Sequence, residues 1–135
     1  MYILLAGLSS ALAAVFFSYI FSVWIFHRFR KRTPATWRRE RGRNYLLGIG
    51  ADFLFGFAFA GFFALVGGIG RFNTSQWVKM GSLFGFGCWA AIALPMLLTM
   101  SIFVNFHRGV VFGFVLDRLF ACICAGFICA WLLAR

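Results

Sequence analysis

Two carboxylates sit where carboxylates are rare. The chain has three acidic residues, Glu40, Asp52 and Asp117, and the last two fall inside long apolar runs. A carboxylate in such a run is costly in lipid unless it is paired, protonated or put to use. Both belong to a repeated phrase: residues 52–62 read DFLFGFAFAGF and residues 117–127 read DRLFACICAGF. A second phrase, FHR, occurs at 26–28 and 106–108, ahead of each copy of the first. Two carboxylates at one depth repel each other, an arrangement suited to holding a proton or a small cation. A structural reading stands beside this one, with each aspartate paired to a nearby base. Arg118 is adjacent to Asp117 but one position around the helix, with the option of extending to the cytoplasmic surface. Arg43 and Arg108 are within reach from the helix ends.

His27 and His107 close the first and third apolar runs, each followed by arginine (Arg28 and Arg108). Two histidines and two aspartates suit a divalent metal, and two histidines on separate helices suit haem, with the arginines for its propionates. The expected separation argues against both, since the histidines fall at the membrane edge and the aspartates ~10 Å deeper. Anchoring at the interface is the plainer role for His27, His107, Arg28, Arg108 and Arg118. No metal or cofactor is therefore expected. The cysteines, Cys88, Cys122, Cys124 and Cys129, form no C-x-x-C pair and read as small apolar residues. No nucleophile motif, phosphate loop or zinc spacing is present, so the chain leans away from an enzyme.

The elements that position these residues follow from composition. The chain is 63% hydrophobic and 12% charged, against roughly 25% charged in a soluble domain. Its 135 residues suffice for four membrane-spanning helices of ~20 residues each. The expected spans cover about 2–26, 45–68, 78–104 and 110–132, in a single transmembrane domain. The first is read as a spanning helix and not as a secretory signal, because its basic residues follow the apolar stretch. Pro95 should kink the third.

The net charge is +10, and eight of the thirteen Lys/Arg residues lie between 27 and 44. Such a loop is a topology signal and a contact for anionic lipid headgroups, not a nucleic-acid surface. Arg30, Lys31, Arg32, Trp37, Arg38 and Arg39 are the expected headgroup contacts. Thr33 and Pro34 suit the start of a brief interfacial helix, with a disordered loop as the alternative. Loops 27–44 and 105–109 together carry nine basic residues, and the opposite side carries three. Both loops are thus expected in the cytoplasm, with both termini extracytoplasmic, in a bacterial inner membrane.

Small residues recur every fourth position. The first helix has Ala6, Ser10, Ala14, Ser18 and Ser22; the second has Gly48, Asp52, Gly56, Ala60, Ala64 and Gly68; the fourth has Gly109, Gly113, Asp117, Ala121, Ala125 and Cys129. Close packing of small residues associates helices in lipid. These faces should turn inward and carry the aspartates with them, and the phenylalanines should mostly face lipid or a partner. The repeated phrases imply two tandem, duplicated helical hairpins. An alignment with the basic loop as an insertion pairs Gly7 with Gly87, Ala11 with Ala91 and Ala13 with Ala93.

The run Gly85-Phe-Gly-Cys-Trp89, followed by Thr99, Phe103, a short basic turn and a closing apolar helix, resembles a class of small four-span bacterial integral membrane proteins known as a domain of unknown function. The resemblance covers mainly residues 81–134 and implies the same four-span fold, with no substrate or site. The expected function is that of a non-enzymatic membrane protein working as a homo-oligomer or as a subunit of a larger membrane complex. The alternative is a small proton- or cation-coupled transporter or channel using Asp52 and Asp117.

Overall fold

The computed structural model describes residues 1–26, 29, 42–67, 76–104 and 107–133. The regular structure among them is entirely helical. Helix α1 (Tyr2–Phe21) runs into a wide π-turn, Ser22–Phe26. Helix α2 covers Gly42–Gly67. Helix α3 (Trp77–Cys88) passes through a second π-turn, Trp89–Ala93, into α4 (Leu94–Phe103), and α5 covers Arg108–Leu133. Among the described residues, four helices are long and apolar enough to cross a membrane: Tyr2–Ile25, Gly42–Val66, Trp77–Phe103 and Arg108–Leu133. Four were expected. The second and fourth begin slightly earlier than hydropathy implies, because Gly42–Asn44 and Arg108 continue the helix beyond its apolar part. The expected headgroup contacts Arg30, Lys31, Arg32, Trp37, Arg38 and Arg39, with His27, Arg28 and the segment after Thr33, lie outside the described residues.

These segments are apolar all round, as suits a helix with nonpolar surroundings on every side. The break expected at Pro95 takes the form of the Trp89–Ala93 π-turn. Proline lacks an N–H, and its ring collides with the carbonyl four residues back. Here that carbonyl belongs to Ala91, inside the widened turn. A wide turn relieves such a collision without ending the helix.

Helix α1 packs along both α2 and α5, α3 packs along α5, and α2 meets α5 only lightly. The α1–α5 contact is antiparallel: Ser10 Oγ lies 3.8 Å from Cys129 Sγ, while Ser18 lies against Asp117. The small-residue faces are the buried ones. Ala6, Ser10 and Ala14 of α1, Asp52 and Ala60 of α2, and Asp117, Ala121, Ala125 and Cys129 of α5 are all buried. At Gly56, Gly81, Gly85 and Gly126 only glycine fits, because backbone of the facing helix stands in the way. A Cβ added to Gly81 would stand 2.7 Å from the Gly126 carbonyl oxygen, and one added to Gly56 would stand 2.6 Å from that of Gly7.

At two of the positions that the duplicated alignment pairs, the two halves do not pack alike. A Cβ on Gly7 would meet the Phe57 ring, whereas one on Gly87 would meet nothing within 4 Å. Ala11 is buried and Ala91 is exposed.

The phenylalanines divide. Phe16, Phe57, Phe62, Phe86, Phe103, Phe112 and Phe120 are exposed, but Phe59 and Phe63 are buried. These two close on Phe84 of α3, with ring centroids 5.5 and 4.8 Å away. The aromatic wedge fills the gap between α2 and α3, which small residues do not close.

Trp89 adds one polar tie. Its Nε1 donates to the Val115 carbonyl at 3.2 Å, joining the π-turn to α5. Trp89→Phe removes that donor and should cost about 1 kcal/mol, read as a small drop in the thermal unfolding midpoint. An unchanged midpoint would show the tie to be idle.

Candidate functional site

Consecutive residues on an α-helix point about 100° apart. Asp117 and Arg118 of α5 therefore address different neighbours, and the fold places a neighbour in each direction. Asp117 faces α1, where the Ser18 hydroxyl donates to Oδ1 and Oδ2 at 3.4 and 3.5 Å. Arg118 faces α2, where its Nη2 donates to Asp52 Oδ1 at 2.9 Å. The guanidinium also turns back on its own neighbour: Nε and Nη2 each lie 3.1 Å from Asp117 Oδ2. Nη2 further donates to Ser18 Oγ at 2.9 Å. One guanidinium thus ties three helices together through two carboxylates and a hydroxyl. The Phe55 ring lies beneath it, with its centroid 5.9 Å from Cζ, a cation–π distance.

Both carboxylates are almost wholly buried, Asp52 at 5% and Asp117 at 2% exposure. The Arg118 side chain is 28% exposed. With all three groups ionised, the cluster carries a single net negative charge. Asp52 lies ten residues into α2 and Asp117 nine into α5, so both are about 14–15 Å from their helix starts.

A cavity of about 480 Å³ opens beside the cluster, between α1, α2 and α5. The charged groups form one wall, with Val15, Ile49 and Phe114 as apolar lining. Tyr19 and Tyr45 also line it and are themselves exposed, so they stand at its rim.

Of the sequence candidates, Asp52, Asp117 and Arg118 come together. Of the two options for Arg118, extension to the helix end is not the one taken; two carboxylates and a hydroxyl hold it in place. His107 does not join them. It precedes α5 and accepts from the Gly109 backbone N–H through Nδ1 at 3.1 Å. It also stacks on Phe29 with centroids 5.0 Å apart, and lies about 15 Å along the helix from Asp117. It therefore caps the fourth span and does not close the third. Arg108 is exposed as the first residue of α5. Cys122 and Cys129 are buried, and all four cysteines are free. Among the described residues, no three of His, Cys, Asp and Glu gather where a metal could be held.

Sequence reasoning missed three parts of the site. Ser18 was visible only as a small residue, and its hydroxyl proves to be the third partner. Phe55 and the tyrosine rim carried no signal, because aromatic residues abound throughout the chain.

No family model, curated protein or solved structure matches the chain. Fold and site together define a class: among the described residues, an all-helical protein with four helices long and apolar enough to cross a membrane, packed round an Asp–Arg–Asp cluster.

Proposed function

We propose that the chain is a small multi-pass membrane carrier or channel that couples to a proton or cation at Asp52 and Asp117. The observation that carries this reading is the shared guanidinium. Two buried carboxylates have one cation between them and a cavity alongside, so one unit of negative charge is left for an exchangeable partner. A purely structural cluster would more simply be neutral and closed. The basic loop supports a cytoplasmic face for this end of the bundle, with both termini extracytoplasmic. The repeated phrases support two related hairpins, and the resemblance over 81–134 supports a bacterial inner membrane.

The test is Asp52→Asn and Asp117→Asn, each assayed in proteoliposomes for proton-driven or cation-driven flux. Loss of flux with normal assembly is the expected outcome. Unaltered flux in both variants would remove the aspartates from the mechanism.

A second reading has its own observation. The most apolar part of the third span, Trp77–Phe103, has no buried residue, and Gly87 faces open space. A glycine on an outward face suits contact with another helix. A homo-oligomer, or a subunit docked within a larger membrane complex, fits that face. Crosslinking in native membranes tests it, and a lone monomer there would count against it.

A further inference from the structure

We infer that the cavity beside Arg118 binds an organic cation: a protonated or quaternary amine carrying an apolar group. The inference deepens the carrier reading and rests on it for the role of the occupant.

Four observations narrow the ligand. The first is charge. Two carboxylates against one guanidinium leave a single negative charge, so a monovalent cation brings the site to neutrality and an anion does not. The second is size. About 480 Å³ lies within the usual range for small-molecule pockets, far beyond what a proton needs. The third is donor count. Hard metal ions such as calcium collect six or more oxygens, and no third acidic or histidine ligand joins the two aspartates among the described residues. The fourth is the wall. Val15, Ile49 and Phe114 offer apolar surface, and Tyr19 and Tyr45 offer aromatic faces at the rim. Aromatic faces attract ammonium groups as well as hydrocarbon.

The hydrogen bonds indicate where the head group goes. Asp117 accepts from Nε of its neighbour Arg118 and from the Ser18 hydroxyl, with Nη2 at ion-pair distance as well. Asp52 receives one guanidinium nitrogen, Nη2, through Oδ1. Asp52 is thus the less firmly held carboxylate, and an incoming ammonium competes for it. Arg118 keeps Asp117 when Asp52 is taken. The Arg118–Asp52 bond joins α2 to α5, two helices that otherwise meet lightly. Occupancy by an amine therefore loosens the second span from the fourth.

The test uses the full chain in detergent or nanodiscs and benzyltrimethylammonium as the probe, with binding read by equilibrium dialysis. Saturable binding is expected. Gly48 lines the cavity, and a Cβ there meets nothing within 4 Å. Gly48→Leu should narrow the cavity, keep the charged cluster and the unfolding midpoint, and weaken binding at least about tenfold. Asp52→Asn should weaken it similarly. If Asp52→Asn fails to fold, Gly48→Leu alone decides. Neopentylbenzene, the uncharged counterpart of the probe, should not compete, and neither should sodium or magnesium chloride at matched concentration. Full-strength binding to Gly48→Leu, or equal competition by the neutral compound or by either salt, overturns the inference. Absence of binding to the unmodified chain does so too. Binding without flux in vesicles keeps this site and removes the carrier reading. Asp52-dependent proton flux without probe binding does the reverse.

Discussion

Arg118→Met should unfold the protein more readily than loss of any other charged side chain among the described residues. The substitution leaves Asp52 and Asp117, both nearly fully buried, without the guanidinium that both contact. Removing one partner of a buried ion pair costs about 3–5 kcal/mol, most of it from the charge left behind. The 28% exposure of Arg118 places the expectation near the low end, about 3 kcal/mol. Thermal unfolding of the purified protein in detergent, followed by circular dichroism, measures it. The sharper arm is the triple variant Asp52→Asn, Arg118→Met, Asp117→Asn. It removes every charge from the cluster at little change in shape, and should recover most of the lost midpoint. An Arg118→Met protein that melts like the unmodified chain would show that the guanidinium does not hold the bundle together. A triple variant as unstable as the single one would show that packing by the arginine stem matters more than its charge.

Gly81→Leu should part α3 from α5. The added Cβ has no room, since the Gly126 carbonyl carbon and oxygen lie 3.0 and 2.7 Å from it and belong to backbone. Side chains can rotate away from an intruder, but two helix backbones can only separate. Overpacking costs 1–3 kcal/mol in ordinary cores and sometimes more, and a contact between two backbones belongs at the upper end, about 3 kcal/mol. Gly87→Leu is the matched control, because that position opens on empty space. It should leave the midpoint within the small range of surface changes. Equal midpoints for the two variants would mean that α3 does not rest on α5 through this seam. Trp89, tied to the Val115 carbonyl, gives a fluorescence readout of the same separation.

The sequence carried the inward faces because lipid removes the alternatives. Without a hydrophobic drive between helices, only small residues let backbones approach, so Ala6, Ser10 and Ala14 or Ala121, Ala125 and Cys129 announce their faces at fourfold spacing. Asp52 and Asp117 ride on those faces, and their convergence was legible for that reason. The setting of Arg118 was not. Viewed along its own helix, an arginine next to Asp117 has the option of reaching for water. What decides is Asp52, 66 residues earlier in the chain, and no local pattern reports a partner that distant. Ser18 shows the same gap, since spacing reveals its size and not the use of its hydroxyl. The inward turn of Phe59 and Phe63 toward Phe84 escaped notice because phenylalanine suits lipid and core equally. The cavity is a space between three helices, and a space has no letters in the sequence.

The bond between Asp52 and Arg118 also sets a timetable for synthesis. Asp52 leaves the ribosome 66 residues ahead of the arginine that will neutralise it. At roughly 5–20 residues per second, the second span waits about 3–13 s for the fourth. Throughout that interval the inserting helix carries a carboxylate with no guanidinium to meet it, a burden of roughly 2.5–3.5 kcal/mol at the centre of a nascent span. The apolar length of Gly42–Val66 has to outweigh it unaided. The birth of this protein thus depends on a helix that enters the bilayer in debt to one not yet made.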